Sequence, residues 1–148
     1  MEEALEEKVR KFALQARLEA SQEVIESGLY ERLLSSVNGN GFLWRFTESF
    51  YVRAYTLKYI VGNTSYCHTD FAEAARQHID LALEYFGNGN YAQVIEEVAI
   101  LLERVKDFRP KIAENENYRI GMITFAATCY WVHKDCQRVR ILTEQSPN

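Results

Sequence analysis

The chain has little proline and glycine, the residues that make most tight turns. It contains two prolines and seven glycines among 148 residues. A β-sandwich or β-barrel needs a turn roughly every ten residues, and these turns draw heavily on glycine and proline. The composition therefore argues against the turn-rich β folds, and helix is the expected structure.

The sequence also lacks an excess of basic residues, long apolar runs and the pattern of an N-terminal signal peptide. Seventeen basic residues face 21 acidic ones, so nucleic acid is not an expected partner. No apolar run approaches the roughly 18 residues of a membrane span, and Met1–Glu7 is acidic where a signal peptide is basic. Three irregularly spaced cysteines predict reduced thiols. We expect a cytoplasmic protein with no membrane contact.

The segments that are present have the periodicity of helices. Apolar residues three or four positions apart predict a first helix that ends at Gly28. A short helix over residues 29–37 and a turn at residues 38–41 are predicted next along the chain. The stripe of the first helix comprises Leu5, Val9, Phe12, Ala16, Ala20 and Val24.

The most apolar segment runs from Phe42 to Val61 and ends at Gly62-Asn63. Its apolar residues cover more than one helical face. That distribution is typical of a central helix or of a helix partly buried by an oligomer.

The second half of the chain predicts three longer helices. Asp70 with Glu73 resembles a capping box at the start of a helix that reaches Phe86. The next helix spans Tyr91–Phe108 and is closed by Pro110.

The last helix covers Asn117–Leu142, with Lys134-Asp135 as a candidate break. No Pro-rich or Gly/Ser-rich linker divides the chain. Residues 1–148 are thus predicted to form a single all-α domain of about five to six helices, either an irregular bundle or a repeat-like array.

Between residues 75 and 105, a leucine, a small residue and an aromatic residue precede a Gly-Asn-Tyr turn and another small apolar residue. The residues are Leu81, Ala82, Tyr85, Gly89-Asn90-Tyr91 and Val94. This pattern resembles one tetratricopeptide repeat, which implies a helical hairpin. The chain departs from the family at Val94 and Leu101, where alanine is preferred, and at His78, where an aromatic residue is preferred.

One helical face combines thiols with an imidazole. Cys129, His133 and Cys136 are spaced by four and three residues, and Cys67-His68 offers a further ligand. These ligand types suit zinc, the one cofactor for which the sequence offers candidates. The alternative is that the cysteines pack as small apolar residues.

The aromatic segment mixes rings with positive charges at Trp44, Arg45, Tyr51, Arg53, Tyr55 and Lys58. Such a mixture can stack bases and bind phosphates. Alternatively, the rings form core and the basic side chains extend from its rim. His78 is a candidate polar group for a ligand or for acid–base chemistry.

Familiar catalytic motifs are missing: there is no Gly-rich phosphate loop, His-Glu-x-x-His or Gly-x-Ser-x-Gly. The leading hypothesis is a non-catalytic helical interaction or adaptor domain, which binds a protein partner or a second copy of itself. The alternative is a small-molecule, metal or RNA-active protein with a site inside the bundle.

Overall fold

Six α-helices make up most of the structure, a computed structural model that describes residues 3–29, 31–32 and 41–145. These ranges contain no strand, so the prediction of an all-α fold with five to six helices is confirmed. None of the helices described is both long enough and apolar enough to cross a bilayer. The helices are α1 (Leu5–Glu26), α2 (Gly41–Gly62), α3 (Thr69–Gly87), α4 (Tyr91–Asp107), α5 (Arg109–Ala113) and α6 (Glu116–Gln145).

Helix α1 follows the predicted stripe. Gly28, two residues after its end, has the positive φ of 75° that favours glycine at a helix C-terminus. The short helix predicted over residues 29–37 lies mostly outside the described residues, as do residues 38–40 of the predicted turn. Gly41 belongs to α2 and not to a turn. The buried residues of α1 are Phe12, Ala16, Ala20 and Val24.

The start of α3 differs from the predicted capping box. The N-cap residue is His68, whose Nδ1 accepts a hydrogen bond from the backbone N–H of Asp70 at 3.1 Å. Asp70 lies two residues after the N-cap, in the first turn, where a carboxylate complements the helix dipole. There it forms a 2.6 Å ion pair with Lys111 of α5.

The last three helices also refine the prediction. Helix α4 ends at Asp107, and Pro110 lies in the first turn of α5, where its missing N–H costs no helical hydrogen bond. Helix α6 continues without a break through Lys134-Asp135. Its buried row continues past this point through Val132, Cys136 and Val139.

Buried residues from all six helices form one hydrophobic cluster. Helix α1 packs on α2, α3 packs on α4, and α6 lies against α1, α2, α4 and α5. Aromatic rings join these layers. Phe71 makes edge contacts with Phe108 and Phe125 at 5.6 and 5.1 Å, while Phe50 stacks on Phe86 at 3.7 Å.

Helix α6 comes unusually close to the loop between α2 and α3. A Cβ atom built on Gly121 would overlap the carbonyl oxygen of Tyr66 and lie 3.0 Å from its carbonyl carbon. The Tyr66 ring in turn stacks on Phe12 of α1 at 4.1 Å. Glycine at position 121 therefore fixes the position of α6 relative to this loop and to α1.

Candidate functional site: an arginine-lined cleft

A cleft of about 540 Å³ opens between α1, α2 and α6. We call it the arginine cleft. Helix α1 lines it with Val9, Ala13, Arg17 and Ser21, each four residues after the one before. Because residues four apart share one helical face, a single side of α1 borders the cleft along about 18 Å.

Small side chains explain why this space is open. Ala13 and Ser21 of α1, Ser49 of α2 and Ala127 of α6 border the cleft where larger residues would fill it. Helices α1, α2 and α6 each contribute side chains to the cleft walls. The space therefore follows from side-chain size at helical spacing.

Arg53 is held in place at the α6 wall. Its guanidinium forms an ion pair with Asp135, and its Cζ lies 5.8 Å from the centroid of the Trp131 ring. The Arg53 and Asp135 side chains are only 30% and 22% exposed. Partial burial strengthens such a pair, and the planar guanidinium suits both the carboxylate and the ring face.

Within the described part of the chain, the other two arginines have no such neutralising partner. Arg17 and Arg45 line the cleft and are exposed, and neither forms an ion pair with any acidic side chain in the described ranges. Glu48 is the single acidic residue among those that line the cleft in the described chain. Positive charge thus exceeds negative charge in the cleft, although the chain as a whole carries a net charge of −4.

The threonine hydroxyl groups on the cleft walls are used within their own helices. Thr56 Oγ1 donates to the Val52 carbonyl at 2.8 Å, Thr124 Oγ1 donates to the Ile120 carbonyl at 2.9 Å, and Thr128 Oγ1 donates to the Thr124 carbonyl at 2.8 Å. Ser21, Ser49 and Trp131 each add a single donor to the lining. A guanidinium group carries five N–H donors, so the arginines are the main hydrogen-bond donors of the cleft.

The binding residues predicted on the aromatic segment are divided between two faces of α2. Arg45 and Arg53 line the cleft. Tyr51 instead makes an edge contact with Phe86 of α3 at 5.5 Å, and burial raises its pKa.

Lys58 and Tyr55 lie together away from the cleft. The Lys58 ammonium lies 5.6 Å from the Tyr55 ring centroid and 3.6 Å from the Asp80 carboxylate of α3. Trp44 is half-buried near the start of α2. The seven residues predicted to bind a ligand, these six and His78, therefore do not form one surface.

His78 pairs with an acid that sequence reasoning missed. Its Nδ1 lies 2.6 Å from Oε2 of Glu97, which joins α3 to α4. Glu97 is 8% exposed, one of the few buried charged residues. Neither residue lines the cleft. The pair links the two helices of the hairpin that resembles a tetratricopeptide repeat.

The predicted zinc ligands are not assembled. In residues 3–29, 31–32 and 41–145, no three His, Cys, Asp or Glu side chains form a group that could hold a metal ion. Cys129 and Cys136 face the core as fully buried thiols, as does Cys67. Burial raises the pKa of Cys67 and Cys136 to about 12, so both side chains are neutral thiols at neutral pH. The packing interpretation of the cysteines fits this arrangement.

Surplus apolar surface is found on α1 and α6, and not on residues 44–61 of the aromatic segment. Leu14, Leu18 and Ile25 of α1 are 59%, 62% and 57% exposed. On α6, Tyr130 and Trp131 are about half exposed. In α2, by contrast, the large apolar residues Phe46, Phe50, Leu57, Ile60 and Val61 are buried.

Comparison with known proteins gives no relative from which to transfer a function. No protein-family model, no curated protein and no solved structure matches the chain. The function of the chain must therefore be inferred from the geometry of the arginine cleft and of the exposed apolar rows.

Proposed function

We propose that this chain is a non-catalytic helical interaction domain that binds an acidic segment of a partner protein in the arginine cleft. The observation that carries the proposal is the presence of Arg17 and Arg45, two exposed guanidinium groups without an ion pair in the described chain, in one concave site. A concave site with unneutralised positive charge favours an anionic occupant.

The chemistry of the side chains favours carboxylates. Arginine presents a planar set of donors that matches a carboxylate in a bidentate arrangement. With Arg53 already paired to Asp135, Arg17 and Arg45 are the groups free to take new partners. They project from α1 and α2, so two acidic residues of one segment can be bound from two sides of the cleft.

The shape of the cleft suits a helical segment. The α1 wall from Val9 to Ser21 is about 18 Å long, the length of about 12 helical residues. Leu14 and Leu18 follow Ala13 and Arg17 by one position each, which places them about 100° further around α1, beside the cleft. An amphipathic helix could thus cover apolar surface at the rim while its acidic residues reach the arginines.

The described lining of the cleft offers few groups for acid–base or nucleophilic chemistry. Among the described residues that line it there is no histidine, cysteine, lysine or aspartate. The groups present are guanidinium, hydroxyl, indole and one carboxylate. This composition supports binding over catalysis.

The test is a titration with labelled helical peptides of about 12 residues, which match the length of the cleft. We expect a leucine- and glutamate-rich peptide to bind and to be weakened by added salt. A version with lysine in place of glutamate should not bind. Equal binding of the two versions, or no binding of the acidic one, would contradict the proposal.

Variants assign the binding to the cleft. Arg17→Gln combined with Arg45→Gln should lower affinity by up to about 30-fold, since an ion pair with an exposed arginine contributes about 0.2–1 kcal/mol and two such pairs are lost. Arg10→Gln is the matched control, because Arg10 lies on the same helix but pairs with Glu7 at 3.3 Å outside the cleft. An equal loss with the control would show that general charge, not the cleft, drives binding.

Self-association is a second candidate function, favoured by the outer row of α1. Leu14, Leu18 and Ile25 lie on the side of α1 opposite its buried residues, so the helix is apolar on two sides. A second copy can cover this row through an isologous contact. Light scattering should then give a dimer mass that falls to the monomer value in Leu14→Glu with Leu18→Glu. Ile100→Glu, an exposed apolar position on α4, should leave the mass unchanged.

A further inference from the structure

A second, smaller depression lies on the other side of α6. It has a volume of about 290 Å³ and is formed by the end of α4, by α5 and by the first half of α6. We call it the apolar notch. It shares no lining residue with the arginine cleft. The proposals for the two sites are therefore independent.

The floor of the notch is apolar. Ile112 of α5 and Met122 of α6 are buried beneath it at 9% and 4% exposure. Val105 and Ile123 complete the walls, and Ile123 is 44% exposed. An open apolar depression of this kind gains free energy when a ligand removes its surface from water.

The rim of the notch is positively charged. Lys106, Arg109 and Arg119 border it, and no acidic residue does so within the described chain. Lys106 pairs with Glu103 at 3.3 Å. Arg109 and Arg119 form no ion pair with any acidic side chain in the described ranges. Two unneutralised guanidinium groups thus lie at the edge of an apolar floor.

We propose that the apolar notch binds a small amphiphilic anion, a short hydrocarbon chain that ends in a carboxylate. The chain covers Ile112, Met122 and Ile123, and the carboxylate pairs with Arg109 and Arg119 at the rim. The volume lies just below the roughly 300–1,000 Å³ that is usual for ligand pockets, which limits the occupant to a small molecule. The positive charge of the rim favours an occupant with negative charge.

Calorimetric titration with sodium decanoate tests the proposal on the full-length chain. We expect a dissociation constant below about 1 mM, with affinity rising by about threefold for each methylene between hexanoate and decanoate. Decyltrimethylammonium carries the same tail with the opposite charge and should bind at least tenfold more weakly. Equal affinity for decanoate and decyltrimethylammonium overturns the proposal. So does a dissociation constant for decanoate above about 1 mM, which is roughly the weakest affinity expected of a small ligand in a specific site.

Variants distinguish the notch from other apolar surface. Arg109→Gln with Arg119→Gln should weaken decanoate at least tenfold, and Ile123→Asp should do the same by placing a like charge beside the carboxylate. All three positions are exposed, so the variants should retain the fold, which a thermal melt verifies. Unchanged affinity in both variants overturns the proposal.

The arginine cleft supplies the matched control. Arg17→Gln removes an equivalent charge from α1, in the arginine cleft on the other side of α6. This variant should leave decanoate affinity within twofold of the original. A loss in Arg17→Gln equal to that in the notch variants would place the ligand in the cleft, and the inference would be wrong. This outcome leaves the peptide-binding proposal untouched, since that proposal is tested with peptides.

Discussion

Replacing Gly121 by alanine should destabilise the protein, although the same change in most helices stabilises it. Glycine inside a helix is less stable than alanine by about 0.5–1 kcal/mol, because the glycine backbone loses more freedom on folding. At position 121 the added methyl group would occupy the space of the Tyr66 carbonyl oxygen. Either α6 or the loop must move to admit it.

The surroundings oppose that movement. The Tyr66 N–H donates to the Asn63 carbonyl at 3.0 Å, and the Tyr66 ring stacks on Phe12 at 4.1 Å. Overpacking of a filled site costs about 1–3 kcal/mol, and an overlap with backbone belongs at the upper end. Subtracting the gain in helix propensity leaves a loss of about 2 kcal/mol. For a chain of this size that loss lowers Tm by about 4–8 °C.

Thermal unfolding followed by circular dichroism at 222 nm measures this loss. Gly87→Ala is the matched control, since Gly87 is the last residue of α3 and a Cβ there meets nothing within 4 Å. Its Tm should stay the same or rise. If Gly121→Ala melts at or above the unmodified protein, then α6 does not lie against the Tyr66 loop as described, and the position of the cleft wall must be reconsidered.

Three further predictions concern the turn at Gly89, the buried His78–Glu97 pair and the thiols. Gly89→Ala should cost about 1–2 kcal/mol, measured by urea unfolding, because Gly89 has a φ of 73° that strains L-residues. His78→Ala should lower the free energy of unfolding by about 1–3 kcal/mol in the same assay, since it removes the partner of the buried Glu97 side chain. The double variant Glu97→Ala with His78→Ala should lose less than the two single variants combined. Burial raises the pKa of Cys67 and Cys136 from 9.0 to about 12, so the unfolded chain loses these protons first. The free energy of unfolding should therefore fall as pH rises from about 9 toward 12. Replacing both cysteines with alanine should weaken that dependence, and the part that remains comes from the buried Cys129 thiol, whose pKa burial also raises.

Much of the helical framework could be predicted because one strong signal determines it. Apolar residues at helical spacing identified α1, α3 and α4, and the glycines after α1 and α3 marked their ends. The predicted N-cap of α3 was wrong, and the reason is local. Asp70 fits a capping box by residue type, yet the chain uses the imidazole of His68, a residue that seldom serves as an N-cap.

The arginine cleft could not be predicted in the same way, because it is formed by side chains from distant parts of the chain. Arg17, Arg45 and Trp131 belong to three helices, and nothing in their local sequence indicates that they meet. The local sequence does separate one pair of the predicted residues. Tyr51 follows Arg45 by six positions, about 240° around a helix, so helical spacing places the two side chains on different faces.

Helix α6 contributes to both proposed sites. Arg119, Met122 and Ile123 border the apolar notch, while Thr124 and Trp131 border the arginine cleft, so the same stretch of α6 separates the sites. A ligand bound in either site would contact α6. Close packing at Gly121 holds α6 against the Tyr66 loop, so small displacements meet resistance from a filled core. Decanoate and the acidic peptide should therefore bind independently, and a change of more than about fivefold in one affinity on adding the other would show that α6 moves between two positions.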